Sequence, residues 1–115
     1  MKKEKILQKS DDFSIIISTG KKLKNKYFSL YYKENNKVLY GITVPKKTGK
    51  AVIRNKLKRQ IKNIIVKNEK TIQSGYNYVI IVKETSLELN YEGLTNNLLD
   101  LMKKVGTKWK KITEE

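Results

Sequence analysis

The chain has 115 residues, and its 26 Lys and Arg stand against 11 Asp and Glu, a formal net charge of +15. That length suits a single domain over 1–115, with one core that buries roughly two-thirds of the unfolded surface. Cysteine and histidine are both absent, which excludes disulfides, thiolate nucleophiles, Cys/His zinc sites and imidazole bases.

The first periodic segment starts at Ser10, a helix N-cap followed by Asp11 and Asp12, which the helix dipole favours in a first turn. Phe13, Ile16 and Ile17 then share one face, and Gly20 supplies the stop. From Tyr27 to Lys33 the pattern alternates as a strand, with Phe28, Leu30 and Tyr32 on one side and Tyr27, Ser29, Tyr31 and Lys33 on the other. Glu34-Asn35-Asn36-Lys37 suits a hairpin loop, leading into a second strand from Val38 to Val44 that ends near Pro45. Between Lys50 and Lys67, Ile53, Leu57, Ile61, Ile64 and Ile65 form one apolar helical stripe. The run Tyr78-Val79-Ile80-Ile81-Val82, within 76–83, reads as an interior strand covered on both faces. Asn90 then caps a last helix whose buried face is Leu94, Leu98, Leu101, Met102 and Val105.

The expected order is therefore α, β, β, α, β, α with room for one more short strand, an α/β sandwich without repeats or linkers. The tails, 1–9 and 107–115, are expected to be loosely held. No apolar run reaches the roughly 18–20 residues of a membrane span. The Lys-rich start before Ile6 and Leu7 lacks the apolar region of a signal peptide, so a cytoplasmic protein is expected. The carboxylates are scattered, adjacent only at Asp11-Asp12 and Glu114-Glu115. They form no cluster of the kind that holds Mg²⁺ in a protein-only nuclease, so no catalytic residue and no protein-bound metal are assigned.

Lys-rich composition also arises from an A/T-rich genome, but base composition does not determine where the charge sits. Ten Lys and Arg and one acid, Glu69, fall between Lys46 and Lys70, so this stretch carries +9 of the +15. Both arginines of the chain, Arg54 and Arg59, lie inside it. Arginine offers a planar fork matched to phosphates and guanine edges, which lysine does not. Asn55, Lys58, Arg59 and Lys62 fall opposite the apolar stripe, with Arg54 and Lys56 on its flanks. No acid stands four residues from Arg54, Lys58 or Lys62, so the face repels itself by a few tenths of a kcal/mol per like-charge pair. Asn55 adds a donor and an acceptor, and the loop Pro45-Lys46-Lys47-Thr48-Gly49-Lys50 adds cations and amides at the helix start. A solvated helix face is the ordinary meaning of a charge run; an unneutralised one is better explained by a polyanionic partner, RNA or DNA.

The segment from Gly41 to Arg59, with Val44-Pro45-Lys46-Lys47-Thr48-Gly49 leading into Ala51-Val52-Ile53-Arg54-Asn55-Lys56-Leu57-Lys58-Arg59, closely resembles the signature of the bacterial ribonuclease P protein subunit. The resemblance covers nearly the whole chain, from Asp12-Phe13 through Tyr78–Val82 to the last helix. Two positions depart from it: Lys56 stands where the family usually has Arg, and Pro45 where it usually has Ser. The resemblance implies an α+β fold of αβββαβα order. Three helices would lie around a four-stranded sheet, with a left-handed βαβ crossover as in the second domain of a small-subunit ribosomal protein. The general rule for such crossovers is the opposite hand.

The resemblance also implies a function: a subunit that pairs with a catalytic RNA to remove the 5′ leader of precursor tRNA. The RNA would hold the Mg²⁺ ions and perform the hydrolysis, in a 1:1 complex with a monomeric protein and no role for DNA or membranes. Lys46, Lys47, Arg54, Asn55, Lys56, Lys58, Arg59 and Lys62 are then the contacts to the catalytic RNA. Phe13, Ile17 and Tyr31 match positions lining a cleft for the leader, with Ser29 and Lys33 on the same face, Tyr27 a weaker candidate there and Ile17 standing where the family commonly has Phe. Stacking on such a platform is sequence-tolerant. Phe13, Ile17 and Tyr31 would equally serve as packing residues, and Trp109 is best read as a tail hydrophobe. The alternative function is a small basic ribosomal or RNA-assembly protein. A DNA-binding regulator is opposed by the strand that follows the basic helix where a helix–turn–helix would need a second helix, and a self-sufficient nuclease by the missing base and metal ligands.

Overall fold

The computed structural model describes residues 10–34, 39–73 and 75–105, and the side chains of 14–34, 39–73 and 75–105. Its elements are α1 (Ser10–Thr19), β1 (Lys21–Lys24), β2 (Phe28–Glu34), β3 (Leu39–Thr43), α2 (Ala51–Lys67), β4 (Tyr76–Val82) and α3 (Tyr91–Lys103), with short 3-10 turns at Lys46–Thr48 and Glu84–Glu88. The order is αβββαβα, as expected, and β1 is the additional short strand.

β4 is the most apolar strand, with Tyr78, Val79, Ile80 and Val82 fully buried, and it lies inside the sheet, whose order is β1-β2-β4-β3. β2 pairs with it antiparallel from Phe28 opposite Val82 to Glu34 opposite Tyr76. β3 pairs with it in parallel, Leu39 beside Asn77 through Thr43 beside Ile81. This corrects the hairpin expected across 34–37: β2 and β3 are not neighbours, because each supplies one edge of a strand that is apolar on both faces. Residues 35–38 lie outside the described residues.

The two faces of the sheet are covered unequally. On one, Phe28, Leu30, Tyr40, Ile42, Tyr78, Ile80 and Val82 pack against Leu57, Ile61, Ile64 and Ile65 of α2 and Leu94, Leu98, Leu101 and Met102 of α3. Asn90 caps α3, its Oδ1 accepting from the Gly93 amide at 2.8 Å. Tyr40 and Tyr78 stack with centroids 5.7 Å apart; burial, with Glu69 nearby, pushes the Tyr40 phenol up to about 12. Burial likewise raises the Tyr78 phenol. The α2 stripe is shorter than its sequence period suggests. Ile53, in the first turn of α2 beside Gly49, is 39% exposed.

The other face carries a second, small cluster in which Ile16 of α1 meets Val79, with Tyr31, Leu39 and Ile81 partly buried around it. Tyr27 does not share this face, contrary to the strand alternation. It precedes β2, its amide and that of Phe28 donate to Asn25 Oδ1 at 2.9 and 2.8 Å, and its ring packs on the main core. The chain ends α1 by a close approach: the Gly20 amide donates to the Ile16 carbonyl at 2.8 Å. A Cβ on Gly20 would lie 2.5 Å from that oxygen and 2.7 Å from the Tyr32 carbonyl oxygen. Both obstacles are backbone, so Gly20→Ala should force α1 away from β2 and destabilise by about 1–3 kcal/mol. Thermal unfolding followed by circular dichroism should show a midpoint lower by roughly 5–15 °C; an unchanged midpoint would mean that α1 shifts freely.

Candidate nucleic-acid interface

α2 forms because one side of it is buried by four aliphatic side chains, and that packing fixes what the other side presents. Asn55, Lys56, Lys58 and Arg59 are exposed, while Arg54 and Lys62 are half-buried. Arg54, Lys58 and Lys62 follow one another at i, i+4 over about 12 Å of helix. Among the described residues, none of Lys46, Lys47, Lys50, Lys56, Lys58, Arg59 and Lys62 lies within ion-pair distance of an acid; ion pairs join Lys26 to Glu88 and Lys104 to Asp100, away from this helix. The helix start is equally unneutralised: Lys50 precedes it without a side-chain cap, and no acid lies in the first turn. Its free amides therefore add to the positive potential of the ridge.

Arg54 is held differently from the lysines. Its Nε donates to the Gly49 carbonyl at 3.1 Å, folding the guanidinium back over the loop while its remaining N–H groups stay available. Spacing alone did not reveal this tether, which depends on where the Gly49 carbonyl points. Lys46 and Lys47 are exposed in the 3-10 turn beside it, where the Thr48 amide donates to the Pro45 carbonyl at 2.9 Å. Pro45 thus lies beyond β3, which ends at Thr43, and removes no donor from the sheet ladder.

The α1 face of the sheet is built in rows by the strand register. One row runs Lys22, Tyr31, Val79, Gly41; the next runs Lys24, Ser29, Ile81, Thr43; a third runs Lys33, Asn77, Leu39. Ser29 is buried here, Tyr31 half-buried, and Lys33 and Ile17 exposed. Ser29, Tyr31 and Lys33 do share a face, and α1 packs on it through Ile16; the strip of sheet beside the helix, where Tyr31 stays half-buried, forms a trough open to solvent. Asn77 is buried with its Oδ1 unpartnered. The Phe13 side chain and Trp109 lie outside the described residues. Sequence reasoning missed Lys22 and Lys24 on this face. Their signal is the Lys-Lys-Leu-Lys alternation, readable only once β1 is recognised as a strand. Among the described residues no group of three His, Cys, Asp or Glu is placed to hold a metal ion, and no helix is long and apolar enough to cross a membrane.

An α/β sandwich with an unneutralised cationic helix on one side and a half-covered, tyrosine-bearing sheet on the other defines a nucleic-acid-binding protein. The Ribonuclease P family model matches residues 1–106, and the chain belongs to that family. It is 39% identical over 108 residues to the ribonuclease P protein component of Streptococcus agalactiae, covering 92% of this chain and 98% of that one. The component from Mycoplasma capricolum is 41% identical, with 91% and 99% covered. Among solved structures, the RNase P protein of Staphylococcus aureus at 2.0 Å superposes with a TM-score of 0.82 at 27% identity, covering 89% of this chain and 95% of that one. The Thermotoga maritima protein gives 0.80 at 34% identity, covering 85% and 94%.

Arg54→Lys keeps the charge of the ridge and removes both the Gly49 tether and the planar fork. Filter binding to the RNA subunit of ribonuclease P should show an affinity about threefold to tenfold weaker, the worth of one or two net hydrogen bonds. Equal affinities would mean that the position supplies charge alone.

Proposed function

We propose that this chain is the subunit of ribonuclease P that grips the catalytic RNA through the α2 ridge and guides the 5′ leader of precursor tRNA along the α1 face. The cationic face of α2 without an acid in reach, among the described residues, carries this reading. Left alone it is self-repelling, and phosphates would relieve that repulsion. Lys46 and Lys47 extend the surface, Arg54, Lys56, Lys58, Arg59 and Lys62 meet phosphates, and Asn55 meets a base edge or a 2′-hydroxyl. With ~5 phosphates neutralised, log K should fall against log salt with a slope of about −3.5 to −4.5. Phosphodiester hydrolysis belongs in this reading to the RNA, with Mg²⁺ bound by RNA and substrate. The protein's part is to position both.

On the α1 face, Tyr31 offers a ring to a leader base, with Phe13 and Ile17 on the helix above, Lys33 within reach of the backbone and Ser29 as the buried floor. Stacking of this kind is worth roughly 1–3 kcal/mol per base and accepts any sequence, which suits a substrate set with many leaders.

The assembly is tested by adding protein, RNA subunit or both to 5′-extended precursor tRNA at low Mg²⁺. Site-specific cleavage should require the RNA and be strongly raised by the protein, and Arg59→Ala should weaken RNA binding with a shallower salt slope while unfolding at the same temperature. Binding by Arg59→Ala with unchanged affinity and slope would remove the ridge from the RNA contact, and cleavage by protein alone would reassign the chemistry. For the cleft, Tyr31→Ala should lower affinity of the holoenzyme for leader-bearing precursor by roughly 5- to 100-fold and leave mature tRNA unaffected. Equal losses on both would make Tyr31 a packing residue.

A further inference from the structure

Lysines on an edge strand ordinarily guard against edge-to-edge pairing. β1 is such an edge, and Lys21, Lys22 and Lys24 are all exposed on it. Edge protection is indifferent to the face the charges take, yet here two of them are committed to the trough. Lys22 stands beside Tyr31 and Lys24 beside Ser29, whereas Lys21 pairs with Tyr32 and belongs to the opposite face. Lys26, just beyond the strand, lies 3.7 Å from Glu88. Among the described residues, Lys22 and Lys24 have no acid within ion-pair distance. Two positions apart on one strand face, they are separated by about 6.6 Å along the strand, a step comparable with the phosphate spacing of an extended single strand. Lys22 Nζ lies over the Tyr31 ring, 5.3 Å from its centroid, on a surface that a stacked base would need.

We infer that Lys22 and Lys24 form a phosphate rail along the outer border of the trough, taking consecutive phosphates of the single-stranded leader while one of its bases lies on Tyr31. The inference rests on the leader reading given above. A base arriving at Tyr31 displaces the Lys22 ammonium from the ring, and the freed cation meets the phosphate of that nucleotide, so one contact is exchanged for two. β1 and β3 are the two edges of the sheet, about 14 Å apart. The rail is therefore a cationic site separate from the loop that follows β3 and from the α2 ridge.

The test uses the reconstituted holoenzyme with three protein variants: the pair Lys22→Ser and Lys24→Ser, the pair Lys22→Arg and Lys24→Arg, and Tyr31→Ala. Affinity for leader-bearing precursor and for mature tRNA is measured across a salt series. The serine pair should weaken precursor binding roughly threefold to tenfold, and its log–log salt slope should be shallower by about 1.4, the single-strand value for two phosphates. Mature tRNA and the RNA subunit should bind as before, and the arginine pair should restore precursor affinity. Equal losses on precursor and mature tRNA, or an unchanged slope, would overturn the rail. If Tyr31→Ala discriminates the two substrates and the serine pair does not, the rail falls and the leader cleft stands. If neither variant discriminates them, both fall.

Discussion

A strand that is apolar on both faces has to be covered on both, and β4 imposes that requirement on everything around it. Its two neighbours, β2 and β3, come from earlier in the chain and flank it in opposite senses, antiparallel and parallel. The parallel partner can be reached only by a crossover, and α2 is that crossover. Its position over one face of the sheet is therefore a consequence of how β4 is buried. Among the described residues, the opposite face receives the ten residues of α1. One side of the sheet becomes a thick core and the other a partly open trough, and the two candidate contact surfaces inherit that difference.

The same packing explains why a self-repelling ridge persists. Burying Leu57, Ile61, Ile64 and Ile65 is worth on the order of 1.5–3 kcal/mol each, an upper estimate for a chain that is already compact when unfolded. Like-charge neighbours on the outer side subtract only a few tenths of a kcal/mol per pair. Core packing outweighs the repulsion roughly tenfold, so charge can be concentrated on α2 without melting it. The Arg54 tether goes further. A guanidinium already held against the Gly49 carbonyl loses less rotamer freedom when a partner arrives than a free side chain does.

Much of this was legible in the residues. Helical periods located α2 and α3, Asn90 marked its own cap, and the unbroken apolar run at 78–82 announced a doubly covered strand. The location of the cations identified the ridge, and the run from Gly41 to Arg59 identified the family. Strand neighbours were not legible, because Asn35-Asn36 is sound turn chemistry and says nothing of a later strand that outcompetes a local hairpin. One more short strand was expected but not located, since Lys-Lys-Leu-Lys has one apolar residue, and the faces of Lys22 and Lys24 stayed unread with it. Ile53 continues the α2 period into a first turn where it stays partly exposed, and Tyr27 continues the β2 alternation into a residue governed by Asn25. In each case the local pattern was sound and a tertiary neighbour decided the outcome.

The pairing of Phe28 with Val82 spans 54 positions, and that separation bears on the order of events during synthesis. The β1–β2 ribbon and α2 leave the ribosome ahead of β4, so β2 waits with one edge unsatisfied while the helix lacks the strand it packs on. Long-range pairing of this kind slows folding and leaves sticky edges exposed in the meantime. The dense positive charge of the nascent segment, by keeping chains apart, would serve as the safeguard during that interval.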